Sequence, residues 1–299
     1  MPKKHPTPKT KTKTTPPNNT TLTKPTTTNA TSQIPWPPLT SPKTLPYLQE
    51  PPTLTPLIPN QAYLIRDFFP PPLCKTYTSF LASLPLTTTP NKPKRGDAVR
   101  VNDRFQVQDE AFAGRLWETT ALKRCVTRRR NPVEERLYSS SYGEAEEEEE
   151  EGEEVGGKRA AAAAAVFDDE EELNPVKVWG GEPLGLNGNI RIYRYTKGQF
   201  FDKHYDDSNT LTFNSPGQPA RPARTTWTLL IYLTACEGGE TIFYPEPTRK
   251  DRNPRPVSVS PEPGMALLHR HGEHCMLHEG AEVLSGEKWV LRSDLVVAR

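Results

Sequence analysis

Short β-rich segments follow one another from about residue 189 to the C-terminus, separated by turns rich in Gly, Pro and Asn, and they limit the possible fold most. The segments predicted as strands are Ile190–Tyr195, Thr226–Leu233, Glu240–Tyr244, Met265–Leu268, Cys275–Leu277 and Lys288–Val297. Many short strands joined by turns are typical of a sandwich or a barrel, and a jelly roll is the closed two-sheet version. We therefore predict a mainly β domain over residues 185–299.

Two other regions have compositions that do not favour a packed core. Residues 1–55 are rich in Thr, Pro and Lys and have few large apolar side chains, so they are predicted to be a disordered tail whose deletion leaves catalytic folding undisturbed. Residues 139–175 contain Glu146–Glu151 and Ala160–Ala165 and are predicted to be a low-complexity surface insert. An acidic docking role is one interpretation of this insert, and a solvated spacer is the favoured one.

Between these two regions, residues 56–138 are predicted to form a helical support for the β domain. Helical spacing relates Leu73, Tyr77, Phe80, Leu81 and Leu84, and the prolines at 70–72 favour a helix start there. A second helix is predicted near 111–122, with its apolar residues on the buried side. These residues are Phe112, Leu116 and Trp117.

Composition excludes some classes of protein. The four cysteines are far apart and form no CxxC pair, so neither a zinc module nor a disulfide scaffold is indicated. The chain has no predicted signal peptide and no apolar run of membrane-spanning length, which predicts an intracellular protein of the cytoplasm or nucleus, without a membrane partner. The formal net charge of +1 predicts no partner by itself.

A His and an Asp separated by one residue indicate a metal site. His204 and Asp206 follow a β-rich stretch, and residues i and i+2 of an extended chain project from the same face. Asp207 would then point away and is predicted to be a turn residue. Because an HxD triplet alone arises easily by chance, a third ligand from another strand is required.

Four histidines between residues 269 and 278 could supply that third ligand, and their spacing alone does not choose among them. They are His269, His271, His274 and His278. The sequence after His278 favours it, because a Gly-marked reversal is followed by Lys288, which opens an apolar strand and returns to the same cavity. Two imidazoles and one carboxylate on one face of a metal are typical of non-haem Fe(II) oxygenases.

These segments resemble the catalytic domain of the prolyl 4-hydroxylase group of 2-oxoglutarate- and Fe(II)-dependent dioxygenases. The matching elements occur in the family's order and spacing over roughly residues 185–299. They are Tyr195, Gly198, His204 and Asp206, then Gly238-Gly239-Glu240-Thr241, then His278-Glu279-Gly280, Val283, Gly286, Lys288 and Asp294. The resemblance implies a double-stranded β-helix, which is the jelly roll of this family, with N-terminal helical support.

The resemblance also implies a role for each site residue. His204, Asp206 and His278 would be the catalytic iron ligands, and Lys288 would bind the distal carboxylate of 2-oxoglutarate. Tyr195 and Tyr232 would hydrogen-bond the same carboxylate, although Tyr232 could equally be a core tyrosine. Fe(II), 2-oxoglutarate, O₂ and L-ascorbate would be the cofactors and cosubstrates.

Structural roles are favoured for the other polar residues and glycines near these motifs. Arg292 could contact substrate or 2-oxoglutarate, but a structural ion pair is the favoured interpretation. His269, His271 and His274 are expected in a surface loop, so that His271→Ala leaves turnover nearly intact. Gly238 and Gly239 are predicted to allow a tight bend.

The resemblance implies hydroxylation of a substrate with release of succinate and CO₂, and peptidyl proline is the first expectation for that substrate. The Pro- and Gly-containing loop over residues 207–224 is expected to form a rim that selects it. A small molecule or a nucleic acid is an alternative substrate, and the basic tail gives the nucleic acid slight support. A non-enzymatic, metal-dependent jelly-roll binding protein and a zinc hydrolase are alternatives from other classes.

Overall fold

Two β-sheets pack face to face and enclose the candidate metal ligands and Lys288. The computed structural model describes residues 34–39, 52–89, 96, 98–128, 175–215, 217–249 and 251–299. The predicted acidic and Ala-rich insert and most of the predicted tail lie outside these described residues. The helices are α1 (Pro71–Ala82), α2 (Glu110–Thr119), α3 (Leu122–Thr127) and α4 (Pro175–Trp179).

Strands make up most of the described chain. The first nine are β1 (Leu54–Ile58), β2 (Ala62–Ile65), β3 (Thr87–Thr88), β4 (Arg100–Val101), β5 (Asp103–Gln108), β6 (Pro183–Leu186), β7 (Asn189–Tyr195), β8 (Phe200–His204) and β9 (Thr210–Phe213). The others are β10 (Arg221–Tyr232), β11 (Cys236–Gly238), β12 (Thr241–Tyr244), β13 (Val257–Val259), β14 (Ala266–Arg270), β15 (Leu277–Gly280), β16 (Val283–Gly286) and β17 (Lys288–Ala298).

The larger sheet has the order β1-β2-β14-β10-β17-β7-β5-β3, and β6 and β9 pair with β17 and β10. The smaller sheet has the order β13-β12-β15-β8-β4, and β11 pairs with β16 in a separate ribbon. All of these pairings are antiparallel. The predicted jelly roll is confirmed.

Side chains alternate between the two faces of the central strands. One face lines a polar cavity, and the other packs into an apolar layer. In β17 nearly every residue is buried, and Lys288, Val290, Arg292 and Asp294 share one face because side chains alternate along a strand. The opposite face carries Trp289, Leu291 and Leu295 into the apolar layer. The same strand therefore stabilises the core and supplies charged groups to the interior.

The helices pack as the spacing of their apolar residues predicts. The buried residues of α1 include Leu73, Tyr77 and Leu81, whereas Phe80 is only partly buried. α2 buries Phe112, Leu116 and Trp117, and the Asp109 carboxylate caps its first turn by accepting a hydrogen bond from the Phe112 N–H at 2.8 Å. The predicted support region also contributes strands, because β1, β2 and β5 belong to the larger sheet.

Part of the stretch predicted as an N-terminal tail over residues 1–55 packs against the helices. Trp36 is 9% exposed, its ring stacks on Phe112 with centroids 4.0 Å apart, and its indole N–H donates to Asp109 Oδ2 at 2.8 Å. The carbonyl of Pro52 also accepts a hydrogen bond from the Arg124 guanidinium at 2.7 Å. A single tryptophan within a Thr- and Pro-rich stretch is enough to fix a short segment when a matching apolar surface is available.

Two local predictions also need correction. Residues 207–224 do not form an irregular loop, since β9 pairs with the first residues of β10 in a hairpin. The segment at 275–277 is mostly not a strand, because a 3₁₀ turn at Gly272–His274 delays the start of β15 to Leu277. None of the four cysteines forms a disulfide. Within the described residues, every helix is too short to cross a lipid bilayer.

Candidate active site

Two neighbouring strands of the smaller sheet bring the predicted histidine ligands together. His204 ends β8, His278 lies in β15, and the two residues are directly paired in the antiparallel register. Their ring centroids are 4.2 Å apart. Asp206 follows β8 by two residues, and the potential ligand atoms of His204, Asp206 and His278 all lie within 4.8 Å of one another.

Hydrogen bonds fix which nitrogen of each ligand histidine faces the site. His204 Nδ1 lies 2.8 Å from the Asp202 carbonyl and His278 Nδ1 lies 2.9 Å from the Met276 carbonyl, so both Nδ1 atoms act as donors. The Nε2 atoms, 3.7 Å and 3.9 Å from the Asp206 carboxylate oxygens, keep their lone pairs for a metal. Burial lowers the pKa of His204 to about 3, and it also lowers the pKa of His278. Both imidazoles are therefore neutral, as metal ligands must be.

The third candidate ligand, Asp206, is a buried carboxylate. Burial would raise its pKa, but the positive charge of Arg292 and the neighbouring imidazoles outweigh burial and hold the pKa well below its usual range. Arg292 Nη2 lies 2.8 Å from Asp206 Oδ2, and the Thr228 hydroxyl donates to the same oxygen at 2.9 Å. The predicted ion pair of Arg292 is confirmed, and it fixes the orientation of a candidate ligand.

His269 and His271 were expected in a surface loop, but both residues are buried. They are 2% and 5% exposed, whereas His274 is exposed. His271 bridges the Thr228 and Thr225 hydroxyls, with its Nδ1 and Nε2 at 3.0 Å and 2.9 Å, so it fixes the hydroxyl that bonds Asp206. The expectation that His271→Ala is nearly silent does not fit this contact.

His269 lies at the edge of the triad. Its Nδ1 is 3.2 Å from the Arg270 carbonyl and its Nε2 is 3.8 Å from Asp206 Oδ2. The pairing of β14 with β10 places it opposite Thr228, on the inner face of the larger sheet. Alternation along 265–269 puts Met265, Leu267 and His269 on one face, and that signal could have identified His269 as an interior residue.

A cavity between the two sheets joins the triad to Lys288. Its lining includes His204, Asp206 and His278 together with Tyr195 and Lys288. The Lys288 ammonium donates to the Gly239 carbonyl at 2.6 Å and lies 5.5 Å from the centroids of the Tyr195 and Tyr232 rings. Burial lowers the pKa of Lys288 to about 8.

The two predicted tyrosines differ in their contacts. Tyr195 lines the cavity, and burial raises its pKa to about 12, which keeps its hydroxyl protonated. The Tyr232 hydroxyl is 2.7 Å from the Thr241 hydroxyl, and Thr241 lines the cavity at that point. Thr241 ends the Gly-Gly-Glu-Thr segment, and that motif alone did not predict a role for its hydroxyl. Gly238 and Gly239 both have positive φ, as a tight bend requires.

The site residues fit Fe(II) and a dicarboxylate by the chemistry of their donors. Two neutral imidazoles and one carboxylate from one side are the ligand set that leaves metal positions open for a chelating cosubstrate. Gly280 leaves room beside the ammonium, because a Cβ at this position would lie 3.9 Å from Lys288 Nζ and 3.7 Å from Phe201 Cβ. The interior thus offers a metal site at one end and a cation at the other.

Part of this domain is similar to a known protein family. Residues 190–293 match the 2OG-Fe(II) oxygenase superfamily. The ordered motif elements quoted above all lie in or beside this matched region, so this part of the chain is similar to the 2OG-Fe(II) oxygenases.

Curated relatives also match part of the chain. Prolyl 4-hydroxylase 1 of Arabidopsis thaliana is 34% identical over an alignment of 129 residues, and the match covers 38% of this chain and 42% of the relative. Probable prolyl 4-hydroxylase 4 of the same plant is 30% identical over an alignment of 134 residues, and the match covers 38% of this chain and 43% of the relative. The chain spans less than half the length of these curated relatives.

Among solved structures, the viral collagen prolyl hydroxylase of Paramecium Bursaria Chlorella virus-1 in its 2OG complex superposes with a TM-score of 0.39. Its sequence identity is 13%, and the match covers 80% of this chain and 97% of the viral protein.

Proposed function

We propose that this protein is an Fe(II)- and 2-oxoglutarate-dependent dioxygenase that hydroxylates peptidyl proline and releases succinate and CO₂. The observation that carries the proposal is the convergence of His204, Asp206 and His278 on one end of a cavity whose other end holds a buried ammonium, that of Lys288. The names of the prolyl 4-hydroxylase relatives support peptidyl proline as the substrate class.

In this proposal the three ligands hold iron through the two Nε2 atoms and one Asp206 oxygen. The backbone carbonyls of Asp202 and Met276 keep each imidazole in the required tautomer. Arg292 and Thr228 hold the Asp206 carboxylate in place, so that little reorganisation is needed when the metal binds.

Lys288 binds the distal carboxylate of 2-oxoglutarate. A charge-assisted hydrogen bond in a cavity that excludes water is strong, and the ammonium is already oriented by the Gly239 carbonyl. Tyr195 is placed to donate its hydroxyl to the same carboxylate. Tyr232 acts through Thr241, whose hydroxyl it positions at the cavity wall.

When bound, Fe(II) with 2-oxoglutarate supplies the activation of O₂ and the oxidising power for attack on a C–H bond. The chain's own contribution is to orient both groups and to exclude water from the reacting centre. Phe201 stacks on the His204 ring with centroids 3.5 Å apart, and it forms part of the apolar wall of the cavity.

The proposal is tested by measuring 2-oxoglutarate decarboxylation with added Fe(II), ascorbate and O₂, followed by mass spectrometry of proline-containing peptides. Wild-type protein should form succinate and peptides that carry one additional oxygen on proline. His204→Ala should form neither product, whereas His274→Ala, which changes an exposed histidine, should match wild type. Metal binding without any decarboxylation would favour a non-enzymatic binding protein, and activity with zinc in the absence of 2-oxoglutarate would indicate a hydrolase.

A further inference from the structure

The mouth of the active site is rich in basic side chains. A cavity of about 940 Å³ opens over the triad and shares His204 and Asp206 with the inner cavity. Among the described residues that line this mouth, the cations are Arg100, Arg104, Arg191, Lys203 and Arg292, and the carboxylates are Asp206 and Asp207. Positive charge therefore exceeds negative charge where a substrate would enter.

Ion pairs account for only two of these cations. Arg292 pairs with Asp206, and Arg191 pairs with the buried Asp294. Among the described residues, Arg100 and Arg104 have no carboxylate within salt-bridge distance. Arg104 Nη2 donates to Gln106 Oε1 at 2.9 Å, which leaves its other N–H groups and the Arg100 guanidinium to bond a ligand.

Arg100 is held close to the metal site by aromatic rings. Its guanidinium carbon lies 3.7 Å from the centroid of the Phe201 ring, and Phe201 stacks in turn on His204. The cation thus sits one ring away from a candidate iron ligand. Stacking on rings holds a guanidinium in place while its N–H groups remain available to bond a carboxylate.

Arg104 begins a polar row that leads away from the triad. The pairing of β5 with β7 puts Arg104 opposite Tyr193, Gln106 opposite Arg191 and Gln108 opposite Asn189. Because the strand rise is about 3.3 Å per residue, Asn189 lies roughly 13 Å along the sheet from Tyr193. An extended peptide of about four residues would cover this distance.

The side-chain amides at the far end of this polar row favour a peptide ligand over a phosphate-bearing polyanion. Asn189 and Asn209 line both the mouth and a second cavity of about 650 Å³ beside the β9–β10 hairpin. Asn and Gln side chains donate and accept hydrogen bonds, as the backbone of a peptide requires. The second cavity also has apolar lining, including Leu211 and Phe213, which suits side chains rather than phosphates.

We propose that the substrate is an acidic peptide, in which a carboxylate close to the target proline pairs with Arg100 and Arg104. This inference rests on the proposed function and narrows its substrate class. The peptide continues past Asn189 and Asn209 toward the hairpin, so that charge selects the sequence near proline and carboxamides hold the backbone.

The test uses the 299-residue protein with Fe(II) and 2-oxoglutarate under anaerobic conditions. Two fluorescent proline-containing peptides of equal length are compared, identical except that Glu residues beside the proline in one are Gln in the other. Fluorescence anisotropy should give about tenfold tighter binding of the Glu peptide, which is roughly 1.4 kcal/mol. That preference should fall to about twofold or less in the Arg100→Gln, Arg104→Gln variant and remain in Arg255→Gln, an exposed arginine outside the mouth.

Two further measurements keep the result decisive if the double variant is unstable. The preference of wild-type protein for the Glu peptide should decline as salt is raised, because exposed charges are screened. Equal binding of the two peptides by a protein that decarboxylates 2-oxoglutarate would overturn this inference and leave the proposed function standing, whereas no decarboxylation would reject the proposed function itself. Tighter, Arg100-dependent binding of a single-stranded oligonucleotide than of the Glu peptide would also overturn it.

Discussion

Replacing Lys288 with Met should make the protein more stable in the absence of 2-oxoglutarate while abolishing its response to that ligand. The ammonium is 5% exposed, and its hydrogen-bond acceptor is the Gly239 carbonyl rather than a carboxylate. Burial lowers the pKa of Lys288 from 10.5 to about 8, an effect only partly offset by Cys236 and Glu240. The protein therefore stores a destabilised charge that a dicarboxylate would relieve.

The magnitude follows from linkage between protonation and folding. A fall in pKa from 10.5 to about 8 costs about 3 kcal/mol of folding free energy, at roughly 1.4 kcal/mol per pKa unit. The penalty is fully present below pH 8, where the folded protein carries the buried charge. It disappears as the pH rises toward 10.5, because the unfolded chain then releases its proton as well.

Urea unfolding of wild type, Lys288→Met and Lys197→Met at pH 7 and at pH 10 measures this effect. Lys288→Met should exceed wild type by up to about 3 kcal/mol at pH 7, with a much smaller difference at pH 10. Lys197 is exposed, so its variant should follow wild type. With metal already present, added 2-oxoglutarate should stabilise wild type and Lys197→Met further but should not stabilise Lys288→Met. A Lys288→Met variant that is less stable than wild type at pH 7, or a difference independent of pH, would refute the reasoning.

Three further substitutions test other parts of the structure. Trp36→Ala should lower the free energy of unfolding by about 3 kcal/mol, because it removes a stacked, hydrogen-bonded indole, and Trp36→Phe should lower it less. His271→Leu should weaken metal binding about tenfold in calorimetric titrations, since the Thr228 hydroxyl that orients Asp206 loses a partner. Gly280→Val should raise the KM for 2-oxoglutarate about tenfold while Fe(II) affinity is retained, because the added side chain enters the space beside Lys288.

A specific result would contradict each of these three predictions. An unfolding free energy unchanged in Trp36→Ala would mean that this segment does not stabilise the helices. Metal affinity in His271→Leu equal to wild type would show that the hydrogen bonds behind Asp206 do not matter. Equal losses of Fe(II) and 2-oxoglutarate affinity in Gly280→Val would place the two ligands differently from this account.

The strands and helices could be predicted where the sequence has regular periodicity. The spacing of Leu73, Tyr77 and Leu81 predicted α1, and the turn-bounded runs predicted β7, β12 and β17. Trp36 was missed because one aromatic residue in a Thr- and Pro-rich segment produces no periodic signal. Its order depends on Phe112, which is distant in the sequence.

The arrangement of the site was predictable only in part. His204, Asp206 and His278 follow from motif order, and the structure brings them within ligand distance. The register of β14 against β10 places His269 on the inner face, and His271 follows that strand and bonds the Thr228 hydroxyl. The pairing of Arg292 with Asp206 joins residues 86 positions apart, and no local pattern encodes it.

The most direct test of the central claim is the Fe(II) stoichiometry of the protein, measured by anaerobic calorimetry with and without 2-oxoglutarate. Wild type and His274→Ala should bind one Fe(II) per chain, and metal should be required for tight binding of 2-oxoglutarate. His278→Ala should lose both. Wild-type Fe(II) affinity in His278→Ala would contradict the assignment of this triad.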